Sequence, residues 1–344
     1  MSKTTILLVA CLLPACAALS NSPHTSENGG GVGEGASDNG DDASPLAVAS
    51  KFSLISNFSI TSGALAPEPA YELLSDLDSD PGRALISLAD AAGVPAAERL
   101  FDALPSSLSN RIGEWMTEAI GDDGNAEFQT LMAWTRVVLA DVEVHSSLEI
   151  GALDAEGNAV ASHTLTSLGF HFGDEVVEED IPQIDSLPGA GHAELTVTSA
   201  ADAEGHTVRF GEHRFGLLFG DAAYRAFESR VQSQFGTNVR GLLAEAIDCP
   251  SVAESVANRC VLGVCVGHTA DLVGLCDGAL DRAAQEIRDQ FTVFDAEILR
   301  LQSGEARVIP TADGSELQSG RWVAEAELGQ GLRELPASFV GASF

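Results

Sequence analysis

The sequence predicts an α+β fold, with a mainly antiparallel curved sheet or partial barrel built from both ends of the chain and two helical blocks. Apolar and polar residues alternate near residue 50, between 142 and 210, and after 292, whereas 68–140 and 220–290 repeat at helical spacing. Because strands bracket both helical blocks, all elements fit one domain over 50–344. A hydrophobic content of 45% is sufficient for its core, and about eight or nine antiparallel strands are enough to curve a sheet strongly.

The N-terminus predicts export. Lys3 is followed by an apolar run over 6–13 and then by Leu13-Pro14-Ala15-Cys16. The run is far shorter than the roughly 20 residues that span a bilayer, so it indicates a signal peptide over 1–15. A cysteine after a small residue is typical of a bacterial lipoprotein signal, which predicts a diacylated Cys16 in the cell envelope. Since Ala17 and not aspartate follows, the outer membrane is the expected destination. Pro14 departs from the usual pattern, and the alternative is an ordinary signal cut near Ala18.

A flexible tether is predicted over 16–49. Residues 17–48 are mostly Ser, Gly, Asn, Asp and Glu, and such a stretch cannot bury enough apolar surface to offset its ordering entropy. About 30 such residues have a root-mean-square reach of roughly 30 Å, which holds a domain clear of lipid headgroups.

The charge excludes several classes of partner. The formal net charge is −33 and the sequence pI is about 4.3, so phosphate backbones and anionic headgroups repel the surface and nucleic acid is excluded as a partner. Lys3 and Lys51 are the only lysines, which argues against Schiff-base catalysis. No cofactor motif is present, and no cofactor is predicted.

The first half of the domain predicts one strand and several helices. Phe52 and Leu54, then Phe58 and Ile60, alternate with a slip near Ser56, which predicts a strand with a β-bulge. Asp80-Pro81 predicts a helix with an aspartate N-cap and proline in the first position. Further helices are predicted at 96–104, 106–120 and 126–139.

The second half predicts strands on both sides of the second helical block. Strands are expected at 142–150, 160–172, 193–198 and 207–210, and helices at 222–234 and 238–247. Closing strands are expected at 292–302, 304–310, 316–328 and 332–343. Trp115, Trp134 and Trp322 lie in apolar patterns that predict core positions.

The six cysteines have three predicted fates: removal with the signal peptide, lipidation and disulfide formation. Cys11 leaves with the signal and Cys16 takes the lipid. An even number then remains for disulfides in an oxidising compartment, namely Cys249, Cys260, Cys265 and Cys276.

A disulfide-braced helical hairpin is predicted from their spacing. Segments 251–261 and 269–288 have helical periodicity and turn at Leu262-Gly263. Within one helix eleven residues span about 16 Å, whereas bridged Cα atoms lie within about 7 Å, so each cysteine must bond across the hairpin. Nested bonds Cys249–Cys276 and Cys260–Cys265 share one midpoint and are the predicted pairing.

Metal sites are the competing interpretation of these residues. The cysteine spacings are not the paired C-x2-C of zinc modules, even with His268 as an additional candidate. The acidic segments 76–80, 121–125 and 154–158 predict turns and helix caps. The first begins like a calcium loop, but Pro81 and Ser87 replace the glycine and glutamate that such a loop needs. No metal is predicted.

The candidate catalytic residues are few. His163 and His171, eight residues apart, are expected to share a strand face, and His206 and His213 flank a short polar segment. Together with Asp174 and Glu175 they form the one candidate pool. Histidines scattered along strands are more often surface residues, so no catalytic residue is predicted.

Three segments resemble those of uncharacterised lipoproteins of the myxobacterial type: Asn258-Arg-Cys-Val-Leu-Gly-Val-Cys-Val-Gly-His268, Leu65-Ala-Pro-Glu-Pro-Ala-Tyr71 with Ala92-Gly-Val-Pro95, and Gly320-Arg-Trp322 with Pro336-Ala-Ser-Phe-Val340. The likeness covers most of 50–344. It implies anchorage and fold, and since the family has no assigned activity, it implies no site.

Three functions follow from the sequence. The leading hypothesis is a non-enzymatic, lipid-anchored protein with an interaction or envelope-structural role. The runner-up is a carrier for an apolar ligand or lipid inside the curved sheet, lined by Leu165, Leu168, Phe170, Phe172, Phe215, Leu217 and Leu218. A hydrolase is the third, and it requires histidines to converge with a carboxylate.

Overall fold

The chain folds into a closed antiparallel barrel of eight strands, in the order β11-β12-β1-β2-β3-β5-β6-β10. The computed structural model describes residues 50–59, 68–93, 111, 114–115, 118, 125–138, 140–181, 191–202, 205–257, 260–261, 264–265, 268–293, 296–312, 314–328 and 331–344. These residues belong to one compact unit, Ala43–Phe344. The predictions for the signal peptide, Cys11, Cys16, the tether and the helices at 96–104 and most of 106–120 lie outside the described residues.

The strands run antiparallel throughout. Their bounds are β1 Ser50–Ser59, β2 Asp141–Ile150, β3 Asn158–Phe172, β4 Glu175–Asp180, β5 His192–Asp202, β6 Gly205–Phe210, β7 His213–Leu217, β8 Cys260–Val261, β9 Val264–Cys265, β10 Ala296–Thr311, β11 Gly314–Leu328 and β12 Gly331–Ser343. The barrel is closed because β10 pairs with β11, so the prediction of a partial barrel was wrong in that respect. Strand β4 pairs with β3 off this path, and β7 continues the line of β6 along the same edge of β10.

The helices pack around one long member. Their bounds are α1 Glu68–Ser79, α2 Pro81–Ala91, α3 Asn125–Val137, α4 Phe219–Phe235, α5 Val239–Ala246, α6 Cys249–Ala257 and α7 Thr269–Thr292. Helix α7 buries one face, including Leu280, Ile287 and Phe291, against its neighbours. The layer meets the barrel at β3 and β4, where Trp134 of α3 packs edge-on against Phe172 at 6.0 Å between ring centroids.

The predicted helix start at Asp80-Pro81 is confirmed, whereas α4 begins at Phe219, three residues before the predicted 222. Asp80 caps α2 by accepting a hydrogen bond from the backbone N–H of Arg83, and Pro81 occupies the first turn. Asn238 caps α5 in the same way through the N–H of Gly241. Both caps satisfy an N–H that lacks an intrahelical partner.

The predicted bulge at Ser56 was wrong. Strand β1 pairs with β2 without a register shift from Ser50 to Ser59, so Ser56 lies on the inner face with Phe52, Leu54 and Phe58. The hydroxyl of Ser56 accepts a hydrogen bond from Trp322 Nε1–H at 3.2 Å. This serine interrupts the apolar alternation because it satisfies a buried indole.

Two predicted closing strands are one strand. Strand β10 continues through residue 303, where a break was expected, and bends at register shifts against β11. Gly304 lies at this bend because a Cβ there would overlap the Trp322 ring. The glycine therefore makes room for an indole inside the barrel.

The disulfide Cys249–Cys276 is present and joins α6 to α7, with Cα atoms 5.6 Å apart. The prediction that the first arm stays helical to 261 was wrong, since α6 ends at Ala257. Residues 260–265 instead contain a short antiparallel ribbon in which Cys260 lies opposite Cys265. Their side chains lie outside the described part of the chain, so a bond between them stays a prediction.

Candidate functional site

Two of the four candidate histidines lie together inside the barrel. His163 is on the inner face of β3 and His213 on β7, with 1% and 5% of each residue exposed. His163 Nδ1 lies 2.9 Å from His213 Nε2, and His163 Nε2 lies 2.9 Å from the Ser146 hydroxyl. The pair thus connects β2, β3 and β7 through side chains.

The direction of this hydrogen-bond chain is fixed from one end. His213 Nδ1 lies 2.9 Å from the carbonyl oxygen of Gly211, which can only accept, so Nδ1 carries the proton. In neutral His213, Nε2 then accepts from His163 Nδ1–H. His163 Nε2 in turn accepts from the Ser146 hydroxyl. Every polar atom of the pair is therefore satisfied with both rings neutral.

Aromatic rings enclose the pair. Trp322 stacks on His163 at 5.8 Å between ring centroids, and Phe215 contacts His163 edge-on at 5.1 Å. Burial, followed by the proximity of His213, lowers the pKa of His163 to about 3. Burial also lowers the pKa of His213, partly opposed by its bond to Gly211. Both imidazole rings are therefore stable in the neutral form, because none of their described contacts is with a charged group.

The chemistry of this arrangement is that of a serine–histidine pair with a second histidine as the orienting group. A triad normally uses a carboxylate in that position to stabilise the imidazolium. Here the third group is a neutral imidazole, and Ser146 is 3% exposed. Because the Ser146 hydroxyl is buried and bonded to His163, the geometry supports a structural polar core.

The other members of the candidate pool lie elsewhere. The expectation that His163 and His171 share a face was wrong, because a register shift between His145 and Ser146 on the β2 side reverses the alternation of β3. His171 lies outside, with Nε2 3.1 Å from Glu143 Oε1. Glu143 also meets His145 at 3.5 Å.

Glu175 and His206 do not join the pair either. Glu175 forms an ion pair with Arg230 of α4 at 2.8 Å. His206 lies half-buried on β6, opposite Val308 of β10, and its Nδ1 is buried without a partner in the described structure. Asp174 lies in the turn after β3. The convergence that a hydrolase requires is therefore not formed by these residues.

The residues proposed to line a ligand cavity belong to the core. Leu165, Leu168, Phe170, Phe172, Phe215 and Leu217 are buried, and Leu218 packs against them. Ring contacts continue across the interior, with Trp322 stacked on Phe339 at 4.4 Å between centroids and tilted on Phe210 at 5.3 Å. This part of the barrel is filled with side chains.

An open groove of about 510 Å³ lies on the outer face, where β1, β12 and β11 meet. Its lining includes the exposed residues Ile55, Val340 and Ala342, with Glu316, Gln318 and Ser319 at one side. Ser319 has φ 53°, which is uncommon outside glycine and asparagine. It lies in a bulge, because the β11–β12 register shifts between Leu317 and Gly320.

A second cavity of about 270 Å³ shares Ser319 with this groove. Arg307, Arg321 and Glu305 line it. The carboxylate of Glu305 is already paired with Arg209 at 2.9 Å. The two arginines are matched by two acidic residues, because Glu305 lines the same cavity and Glu316 lines the adjoining groove.

The acidic turn at 154–158 is held by backbone hydrogen bonds, whereas the predicted turn at 121–125 lies outside the described residues. Asp154 accepts hydrogen bonds from the backbone N–H groups of Asn158 and Glu156 at 2.7 and 3.0 Å. Chiefly the bond from Asn158 lowers the pKa of Asp154. Within the ranges that the structure describes, no three His, Cys, Asp or Glu side chains are grouped to hold a metal ion.

Sequence patterns missed the residues that define both sites. Ser146 and Ser56 look like ordinary polar interruptions of a strand, and only their partners His163 and Trp322 reveal their roles. Ser319-Gly320 carries a weak signal, since a glycine inside a strand indicates a bulge. Arg321 gives none.

The fold and these sites define a closed antiparallel β-barrel with a helical layer, a neutral polar core and an open groove on its outer face. No family model, curated protein or solved structure matches the chain. Among the described helices, none has the length and apolar character needed to cross a membrane.

Proposed function

We propose that the chain is an exported, lipid-anchored, non-catalytic protein that acts in the cell envelope by binding a partner through its outer barrel face. The binding surface is the uncharged face of β1 and β12, formed by Ser53, Ile55, Asn57, Pro336, Ser338, Val340 and Ala342. One observation carries the proposal: between Lys51 and Glu334, which end it, this stretch of the outer face presents apolar side chains and no charged residue on a protein of net charge −33.

The exposure of this face supports binding. Ile55 and Val340 are register partners and are 39% and 53% exposed. Val323 and Leu332, on β11 and β12, are exposed as well. Depletion of charge together with exposed apolar side chains is typical of the centre of a protein interface. Export and the lipid on Cys16 rest on the sequence pattern alone.

The position of the face suits an anchored protein. Strand β1 begins at Ser50, directly after the tether predicted over 16–49. A tether of that length lets the barrel approach partners on the surface from which it is held. The carrier is less well supported because its candidate residues pack in the core, and the hydrolase because its candidate histidines do not converge at one carboxylate.

Photo-crosslinking in cells tests the binding role. A photoreactive amino acid at Ser338, in the middle of the uncharged face, is expected to give discrete adducts, and Ile55→Asp with Val340→Asp is expected to remove them. The matched control is the same probe at Val160, a 65% exposed position on β3, with Val160→Asp as the control substitution. Adducts of equal yield at both positions, or adducts that survive the double substitution, would overturn the proposal.

A further inference from the structure

We propose that the partner of the uncharged face is a cationic protein, whose contacting surface has an apolar centre with lysine or arginine at its edge. The apolar centre covers the exposed side chains of Ile55 and Val340, and the cationic side chains meet acidic residues that border the face. This inference rests on the proposed binding role of the same face, and it names the chemical class of the partner.

Acidic residues border the uncharged face on three sides. Glu316 of β11 lies opposite Ala342, and Glu334 ends the face on β12. Asp141 of β2 lies opposite the last residue of β1. Among the described residues, none of these three carboxylates forms an ion pair, and the hydrogen bond that Glu316 accepts from Gln318 leaves its charge uncompensated. Each of them can therefore pair with a cation of a partner.

Two glutamates lie directly opposite each other at one end of the face. Glu325 of β11 and Glu334 of β12 are register partners on the outer side of the barrel, and like charges in that arrangement repel each other. Arg300 lies on the other side of Glu325, but its guanidinium is paired with Glu212 at 3.2 Å. A lysine or arginine of a partner, placed over the two carboxylates, would remove this repulsion.

The lysine and the arginine beside the face do not cancel the acidic border. Lys51 is paired with Glu149 at 3.0 Å. Arg321 lies between Ser338 of the face and Glu305 of β10. The carboxylates that outnumber this arginine are those of Asp141, Glu316, Glu325 and Glu334. The border therefore carries a net negative charge around an uncharged centre.

The same charges disfavour other occupants of the face. A second copy of the chain would bring an identical acidic border against this one, with a net charge of −33 on each copy. Anionic lipid headgroups would be repelled in the same way. A cationic protein is instead drawn toward the molecule at long range, and the uncharged centre lets the apolar surfaces meet without burying an unpaired charge.

The salt dependence of the crosslinks at Ser338 tests the partner class. Isolated envelopes that carry the full-length protein with the photoreactive residue are irradiated in about 0.1 M and about 1 M NaCl, where the Debye length falls from about 10 Å to about 3 Å. The adduct yield is expected to fall about tenfold in the higher salt, because screened charges no longer steer or hold the partner. An apolar contact alone is not screened.

Glutamate variants locate the charges that matter. Glu325→Gln with Glu334→Gln should lower the adduct yield about fivefold at the lower salt, as expected for two lost ion pairs at an interface edge. Glu325→Lys with Glu334→Lys should abolish the adducts. Glu156→Gln with Glu194→Gln is the matched control and should leave the yield unchanged. It removes the same charge from the turn before β3 and from β5, which β2 and β3 separate from β1.

The outcomes separate the partner class from the binding role. Discrete adducts that Ile55→Asp with Val340→Asp removes, but that neither salt nor the glutamate variants reduce, overturn the cationic partner and keep the binding role. An equal loss in both glutamine variants also overturns the cationic partner, as does an adduct with a second copy of the chain, a lipid or an acidic protein. Absence of discrete adducts at either salt concentration overturns the binding role itself. Near-ultraviolet circular dichroism of each purified variant checks that Trp322 keeps its environment, so that a lost adduct is not a lost fold.

Discussion

At the scale of single residues, the barrel interior depends on two histidines remaining neutral. The bond between His163 and His213 needs one ring to donate and the other to accept, and Ser146 and the Gly211 carbonyl fix which does which. Two protonated rings at 2.9 Å would both be donors and would repel each other. The aromatic enclosure gives neither charge a compensating partner.

The buried histidine pair predicts that the folded protein loses stability in mild acid. The pKa of His163 is about 3 in the folded barrel against 6.5 for an ordinary histidine, so below pH 6.5 the unfolded chain binds a proton that the folded chain does not. The contribution is complete above pH 6.5 and falls as the pH approaches 3, by about 1.4 kcal/mol per pH unit. Urea unfolding at pH 6.5 and 5.0 should therefore show about 2 kcal/mol lost through His163 alone.

A substitution isolates this histidine from the many carboxylates. His163→Gln should reduce the dependence of the unfolding free energy on pH by close to one proton, although the variant is less stable at every pH. His192→Gln, at an exposed position on β5, should leave that dependence unchanged. Identical pH slopes in the wild type and in His163→Gln would contradict the assignment of a suppressed pKa.

Residue patterns predicted the inner face of most strands but not the exceptions. Trp322, Ala324 and Ala326 share a buried face as expected. The face on which each β3 residue lies could not be predicted. The bulge that changes it is set by pairing with β2, and the sequence of β3 carries no signal of it. For that reason His163 and His171 look equivalent in sequence and lie on opposite faces.

At the scale of elements, the second helical block depends on one covalent bond. Cys249 begins α6, Cys276 lies within α7, and both are buried. Closing a loop across a sequence separation of 27 is expected to stabilise the fold by about 3–4 kcal/mol on the chain-entropy model.

Replacing this disulfide gives a measurable prediction. Cys249→Ser should lower the free energy of unfolding by about 3–4 kcal/mol. Cys276→Ser should have the same effect, and the double variant should cost no more than either single one, because each change removes the same bond. A strictly additive double variant in urea unfolding would contradict this coupling.

Non-reducing peptide mapping tests the second pair. It is expected to link Cys260 to Cys265, since the two residues are directly opposite in the β8–β9 ribbon. A link from Cys249 to Cys260 would contradict both the helical geometry and the observed bond.

The strands that the sequence did not predict form through pairing with neighbouring strands of the sheet. Strands β4 and β7 are short and carry charged residues, and they are strands because they pair with the parts of β3 and β10 that β5 and β6 leave uncovered. The start of α2, in contrast, was predictable because its Asp80-Pro81 cap is local. The barrel closes through pairing of β10 with β11, which both lie in the last fifty residues of the chain. Residue periodicity predicts a strand but does not predict which other strand it pairs with.

At the scale of the whole molecule, the charge distribution indicates that membrane attachment and partner binding use different parts of the protein. A chain of net charge −33 is not drawn to an anionic bilayer by its surface, so we expect any attachment to a membrane to depend on the predicted lipid. The uncharged face of β1 and β12 is then the part of the surface that we propose for recognition.

The anchor is therefore expected to act independently of the barrel. Cys16→Ser should move the protein from the outer-membrane fraction to the soluble envelope fraction, because about 0.8 kcal/mol per buried CH₂ of the acyl chains is lost. The barrel should remain folded, since Cys16 lies before the tether and the Cys249–Cys276 bond does not involve it. Cys11→Ser, within the predicted signal, is the matched control and should leave the fractionation unchanged. A Cys16→Ser protein that still sediments with the outer membrane would show that the barrel, or a partner bound to its outer face, holds it there.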